Sequence, residues 1–487
     1  MKTKKLIIFL LSIFLSFYTY AQEPEGDATD DDGQDFEIAD VHHISEGIGG
    51  NFNFTNIGDQ YLIGARFKPD LSFGKLGFGL DVPIMVDLTT GKVRVDEFQD
   101  GIGALRIIKY VRWGVKKRDD VYFRIGELRD GQLGFGALIS DYNNSISFEK
   151  RKLGFEFDFV FKKKFGIELL YSDINFNSFT MLGIRPYYKP FGATEIPIIR
   201  TFELGLGYVT DHDQTVLTQN DIDFYRKNYF LDKGINSFSA DLGLYLLNFK
   251  WLRWSVYGQG GYTPKIKSDT LQSYIAAFPN DEHLQNYSAG MGWAFGSDFK
   301  FNFLGNLLKI NYRAERFWNS DYYVSRFYNF TYELNKDNRI LQQVYSQKTD
   351  GMYMKLGISI LDKIILHTNI IFEDEFNSAH PAELYFGLDL SNLFKKVTFY
   401  TSMNQGHITN LSDIYKFSDE TMFETLLAWT FYTVPVINLQ FTAGVDFKWT
   451  YAFLSDQNFE ATHYVSPFFS INLPLNKEEK QPEENEL

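Results

Sequence analysis

Ten charged residues fall within alternating apolar stretches of an aromatic-rich chain: Arg66, Lys68, Asp81, Arg106, Arg112, Arg124, Glu156, Asp158, Arg253 and Arg313. On an extended backbone, residues two apart share a face, so such groups converge on a common surface rather than scatter. The chemistry open to that surface is electrostatic: cross-strand ion pairing along a wet wall, or a basic ladder. In the second reading Arg106, Arg112 and Arg124 flank one short turn and concentrate anions near a channel mouth.

Bond-making chemistry finds little support. Of the eight histidines, His367 shares a strand with Asn369 and Glu373, His212 sits between Asp211 and Asp213 in a loop, and His463 opens the last strand. None is matched by a serine in a nucleophile context, so no triad is read. Asp211-His212-Asp213 points its side chains apart on an extended chain and does not converge on a cation. A calcium-loop fragment, Asp30-x-Asp32-Gly33, has Ala28 where a first ligand is needed and no closing Glu. Cys is absent, which removes disulfides, thiolate metal sites and thioether lipid attachment. The chain is expected to be no enzyme and to need neither cofactor nor metal.

The elements that would position these charges show in "YLIGARFKPDLSFGKLGFGLDVPIMVDL", residues 61 to 88. Tyr61, Ile63, Ala65, Phe67 and Leu71 alternate with Arg66, Lys68, Asp70 and Ser72; after Gly74-Lys75 the alternation resumes. A two-residue turn starting with Gly makes a tight hairpin, and its register sets Phe73 against Leu76, Phe67 against Val82 and Lys68 against Asp81. The same period recurs from about Ile48 to Leu475 with little helical periodicity.

Short connections lie near 74, 116–120, 162–164, 248–251, 304–306, 362–363, 393–395 and 434–435, and between them fall longer polar ones near 89–103, 129–151, 210–235, 264–286, 317–350, 407–421 and 452–461. A sandwich has no reason to sort its loops in this way, whereas a membrane barrel does. Counting flanks gives about 20 strands, with 18 to 22 acceptable and an even number required if both termini share a side. Strands of roughly 10 to 13 residues would cross the bilayer at a tilt. Trp113, Trp251 and Trp254 beside short turns, and Trp318 and Trp449 near long ones, suit interfacial belts; Trp293 and Trp429 read as nearer strand middles.

The ends are of other kinds. Lys2, Lys4 and Lys5 precede an apolar run from Leu6 to Phe17, and "TYAQ" offers a cut after Ala21, so residues 1–21 read as a secretory signal. Residues 22–46 form an acidic leader, with nine carboxylates and no base between Glu23 and Asp40, expected to be solvated. Residues 47–475 form a single barrel, and 476–487 a polar acidic tail. These ends account for most of the formal charge of −14, and the mildly acidic remainder has no basic nucleic-acid surface. No later stretch is apolar for long enough to span a bilayer as a helix.

The signal "LIIFLLSIFLSFYTYA", strands such as "LGFEFDFVF" and the loop asymmetry together resemble Gram-negative outer-membrane β-barrels, porins among them, over nearly the whole mature chain. One departure is the end, "YVSPFFSINLPL", which continues into the acidic tail instead of stopping on an aromatic residue. The resemblance implies an all-β, transmembrane, antiparallel up-and-down barrel in outer-membrane lipid, long loops extracellular and termini periplasmic. It implies two functions: a porin-like channel passing small polar solutes, or a non-conducting scaffold within a secretion, assembly or surface-attachment complex.

About 20 strands spaced by roughly 4.8 Å and tilted by about 40° enclose a backbone diameter on the order of 40 Å, too wide for side chains to fill. Water, inserted loops or a plug must occupy it. The Gly-rich yet apolar stretch 129–151 either folds inward to narrow the pore or adds a strand pair or rim cap. The aromatic and basic stretches 222–231 and 322–332 read as strands extended above the membrane.

Overall fold

The computed structural model describes residues 47–474 except 58–59, 95–102, 118, 146–151, 175–178, 197, 213–228, 250, 305–306, 334–335, 375–380, 395, 418–419 and 454–458. The signal, leader and tail lie outside the described residues.

Twenty-two strand segments join in one sheet. In chain order they are β1 (Gly47–Ile57), β2 (Gln60–Phe67), β3 (Asp70–Phe73), β4 (Leu76–Leu80), β5 (Val82–Asp87), β6 (Ile108–Trp113), β7 (Val121–Gly126), β8 (Gly154–Phe161), β9 (Phe165–Tyr171), β10 (Leu182–Tyr188) and β11 (Glu203–Asp211). The rest are β12 (Ile235–Asn248), β13 (Leu252–Thr263), β14 (Gly290–Phe303), β15 (Leu308–Asn319), β16 (Thr349–Ile360), β17 (Ile364–Glu373), β18 (Ala382–Asp389), β19 (Val397–Ile408), β20 (Thr421–Val434), β21 (Leu439–Phe453) and β22 (Phe459–Pro474). From β6 to β22 each segment pairs antiparallel with its neighbours in the chain, β2 pairs with β5, β3 with β4 and β4 with β6, and β1 pairs with β2 on one side and β22 on the other, Phe52 facing Phe469. The sheet is therefore a closed up-and-down barrel.

Two staves are interrupted. β2 and β3 continue one another across Lys68-Pro69, where Pro69 has no N–H to offer the ladder, and β4 and β5 continue across Asp81. The 22 segments thus make 20 staves, an even number, which agrees with the count read from the sequence. The opening hairpin keeps its register, Phe73 opposite Leu76 and Phe67 opposite Val82. Lys68 and Asp81 fall in the two breaks and keep the same register, opposite each other between Phe67–Val82 and Asp70–Gly79, and Asp81 accepts from Arg66, Nε to Oδ1 at 3.0 Å and Nη2 to Oδ2 at 2.9 Å.

The alternation resolves into an inverted molecule. In β14, Met291, Trp293 and Phe295 are exposed while Gly290, Gly292, Ala294 and Gly296 between them are buried. Phe52 and Leu206 likewise point out, whereas Asp158, Glu168 and Arg185 are buried inside. Grease outside and charge inside is stable only where the surroundings are apolar. Trp293, read from the sequence as a mid-strand residue, lies near the end of β14 opposite Trp318, the rings stacked at 4.2 Å.

Gly47 and Pro474 lie side by side and define a terminal rim. Connections on that rim are 74–75, 114–120, 162–164, 189–202, 249–251, 304–307, 361–363, 390–396 and 435–438; the long ones, 88–107, 127–153, 212–234, 264–289 and 320–348, belong to the far rim. The loop sorting read from the sequence holds, with 189–202 as the long exception on the terminal rim. Helices α1 (Asp269–Ala276), α2 (Glu282–Gln285) and α3 (Lys336–Tyr345) lie within the far-rim connections. Stave length is less uniform than expected, from six residues in β6 and β7 to sixteen in β22. The short staves are those beside an inserted loop, whose backbone takes over the ladder: Glu127 N–H donates to Lys109 C=O at 2.9 Å.

Candidate functional site

The stretch after β7 turns inward. It is neither a strand pair nor a rim cap: Gly131 and Tyr142 bridge across a narrow excursion whose Leu133, Leu138 and Ile139 are buried. Left-handed backbone at Gly134 (φ 58°) and Gly136 (φ 94°) folds the tip back. From the far rim that tip reaches the opposite one, because Lys116 and Lys117 of the turn 114–120 donate to Gln132 C=O at 2.6 Å and Gly134 C=O at 3.2 Å. Phe135 stacks on Tyr257 of β13 with centroids 4.6 Å apart.

A second connection, 320–348, lies against the first. Ile139 bridges to Tyr328, and Phe327, Tyr328, Tyr332, Ile340 and Val344 form a dry core with Leu138, Ile139, Tyr142 and wall residues Leu170 and Val209. The 322–332 stretch is therefore not strand extended above the membrane. Its rings alternate with no fixed period because they pack on all sides of turns rather than on a sheet face. Residues 222–228 of the companion stretch lie outside the described residues, and the remainder includes the one-turn 3-10 segment Tyr229–Leu231.

Buried charge fixes these loops to the wall. Asp141 takes Lys355 Nζ at 2.8 Å and the Tyr353 hydroxyl at 2.8 Å. Burial pushes its carboxyl up, but Lys355 and Arg326 outweigh that and hold it below the usual carboxylate range. Arg326 donates to Glu315 at 3.0 Å and Gly136 C=O at 3.3 Å, and lies over the Tyr353 ring. Glu333 accepts from Lys152 at 2.5 Å and from the hydroxyls of Tyr142 and Ser172; against the upward push of burial, Lys152 and Lys336 hold its carboxyl low. Lys336 also meets Asp211 at 2.8 Å, so Asp211 beside His212 serves an ion pair. Gly134 N–H donates to Glu168 at 2.6 Å, and Arg185 joins Asp241 at 2.5 Å, Glu203 at 2.6 Å and Glu168 at 3.4 Å.

The inserted loops fill one side of the lumen. On the other remains a polar cavity of about 260 Å³, bounded by Arg66, Lys68, Asp81, Glu424 and Lys448 on the wall and by Arg129 and Asp141 on the insert. Its charges are mostly matched. Lys448 meets Glu424 at 2.5 Å and Asp446 at 3.4 Å, and Tyr400 donates to Glu424 at 2.9 Å. The lining extends from Pro69 and Asp70, near the terminal-rim end of their stave, to Met422, near the far-rim end of β20.

The ten residues picked from the sequence do not form one group. Arg66, Lys68 and Asp81 border the cavity. Arg112 and Arg124 are register partners, and Arg124 donates to Glu127 C=O at 3.0 Å. Arg106 is not beside their turn: it ends the 3-10 segment Gly103–Ile107 at the other end of β6 and lies 3.6 Å from Asp173. Glu156 pairs with Lys116 at 2.6 Å, Asp158 accepts from Tyr187 at 3.0 Å, and Arg313 holds Asp298 at 2.6 Å and the inserted Gln132 at 3.3 Å. Arg253 stands opposite Lys300. Among the described residues no three His, Asp or Glu side chains cluster to hold a metal. Sequence reasoning missed Arg185 and Asp141. Arg185 carries the same signal as the others, one charge between Ile184 and Pro186, while Asp141 lies in a stretch with no period to read.

The fold and lumen define a class: a closed, membrane-spanning β-barrel of outer-membrane type whose interior is divided by inserted loops. No family model and no curated protein matches the sequence. Among solved structures the chain is similar to Wzi of Escherichia coli, described as an outer-membrane carbohydrate-binding β-barrel involved in group 1 capsule assembly, at 10% identity, 89% of this chain, 85% of that one and TM-score 0.34. It is similar also to OpdL of Pseudomonas aeruginosa at 9% identity, 87% and 96% coverage and TM-score 0.32, and to OccAB2 of Acinetobacter baumannii at 10% identity, 89% and 98% coverage and TM-score 0.30.

Proposed function

We propose that the protein is an outer-membrane channel that admits small polar solutes by diffusion, with the terminal rim in the periplasm and the far rim outside the cell. The observation that carries this reading is the cavity between the inserted loops and the wall that bears Arg66, Lys68 and Asp81. A barrel closed for structural reasons alone would gain nothing from leaving this side wet while the other is packed dry. Charges of both signs line the path, five basic against seven acidic, a small acidic excess that favours neutral, zwitterionic and cationic solutes over anions. In planar bilayers the purified protein is expected to give stable ohmic steps of small conductance.

A second reading takes the dry core as its starting point. Loops this firmly packed suit a non-conducting scaffold whose far-rim helices meet partners in an assembly or surface-attachment complex. Silence in the bilayer recording, with partners that co-purify, would favour it over the channel.

A further inference from the structure

The turns of the terminal rim share a composition that neither the lumen nor the lipid belt requires. Three of them read Phe161-Lys162-Lys163-Lys164-Phe165, Phe249-Lys250-Trp251 and Leu393-Phe394-Lys395-Lys396. Over all connections of that rim, thirteen basic residues stand against four acidic ones, eleven once Lys116 and Lys117, which reach into the lumen, are set aside, whereas the far-rim connections carry seventeen basic against twenty-five acidic. The barrel is thus polarised along its axis, positive at the terminal rim and negative at the far one.

The rim's apolar residues are not folded away. Phe165, Trp251 and Phe394 are each a little over half exposed, and Val436, at the tip of another turn, is 92% exposed. Lys162 lies over the Phe161 ring with Nζ 5.1 Å from its centre. Apolar side chains beside lysines, repeated around a rim that ends the lipid-facing belt, match one kind of surface: acyl chains below and phosphates above. Loop 189–202 extends the pattern, with Phe191, Ile196, Ile198 and Ile199 exposed beside Arg200, while Lys189 turns to Glu203 at 3.4 Å.

We propose that the terminal rim is a binding surface for anionic phospholipid headgroups, which seat the barrel in the leaflet on that side. The occupant is a lipid rather than the acidic leader because the exposed rings and aliphatic tips demand an apolar partner next to each positive charge, and Glu23 to Asp40 offers carboxylates with only Ala28, Phe36, Ile38 and Ala39 among them. The proposal rests on the orientation given above only for which leaflet supplies the lipid.

The test reconstitutes the full chain into nanodiscs of equal parts phosphatidylglycerol and phosphatidylcholine, extracts it gently and counts retained lipids by native mass spectrometry. Phosphatidylglycerol should be retained several-fold over phosphatidylcholine, and Lys162→Gln/Lys163→Gln/Lys164→Gln, folded by heat-modifiable gel mobility, should lose most of that preference. Equal retention of the two lipids by the wild type, or a preference untouched in the variant, overturns the proposal. So does a preference that emerges only after residues 23–40 are deleted, since the leader would then be the occupant. Lipid retention is indifferent to which way the barrel faces in a cell, so a reversed orientation in tag-labelling leaves this result standing.

Discussion

Replacing Asp141 by Asn strikes the point where the first inserted loop is tied to the wall. Asp141 accepts two hydrogen bonds, from Lys355 and Tyr353, each at 2.8 Å. Bonds to a charged group contribute about 1.5–3 kcal/mol apiece. Asn keeps an acceptor for Tyr353, and Lys355, about a third exposed, regains water, so the net loss is about 2 kcal/mol rather than the sum. That is roughly a thirtyfold rise in the undocked fraction of the loop. Phe135 on Tyr257 and the Lys116 and Lys117 contacts remain, so the loop loosens without leaving the barrel. Hydrogen exchange at Gly131 to Tyr142 should accelerate by a comparable factor while exchange in β20 to β22 stays fixed, and bilayer currents should become noisier with larger excursions. Unchanged exchange in the loop would refute the assignment of Asp141 as its tether; faster exchange with unchanged current would refute the loop as the constriction.

Other perturbations have equally definite outcomes. Asp141 and Glu333 both sit below the usual carboxylate range when docked, so their contribution is complete above about pH 5 and is lost as pH falls through the lowered values; the protection of loop amides, taken as exchange relative to free peptide at each pH, should be flat from pH 8 to 5 and should fall only in stronger acid. Gly134→Val places a Cβ 2.5 Å from Arg185 Nε at a left-handed position and should destabilise the loop tip by at least about 1–2 kcal/mol, read as faster local exchange and a lower melting temperature. Arg66→Ala removes the guanidinium from which Asp81 accepts on the cavity wall and should move the reversal potential toward cation preference in a salt gradient; no movement would remove Arg66 from the conducting path. A tag at Pro279-Asn280, exposed between α1 and α2 on the far rim, should label on intact cells, and one at 248–250 should not.

What the sequence made legible is the wall. Period-2 alternation is imposed residue by residue, and a one-residue slip would carry Arg66 or Glu156 into lipid, so register and loop sorting survive into the structure, down to Phe73 opposite Leu76. The insert obeys no such rule. Leu133, Leu138 and Ile139 are buried from several directions at once, and no linear period marks a residue that packs in a core built from distant loops. Hence 322–332 looked like strand, although its rings pack around Tyr328, and 129–151 stayed undecided between an inward fold and an outer one. Lys68 keeps its place opposite Asp81, between the pairs Phe67–Val82 and Asp70–Gly79, but register alone does not name the hydrogen-bond partner: the carboxylate accepts from the guanidinium of Arg66, next along the face.

The seam between β1 and β22 carries a consequence for biogenesis. The circle is sealed by the first and last staves, the pair most distant along the chain, so until the whole chain is present each of these strands presents a bare row of amides and carbonyls. Local hairpins can zip early, but this final join cannot. An unfinished chain therefore has two open lips that a neighbour's strand can template, and closure waits for the last stave.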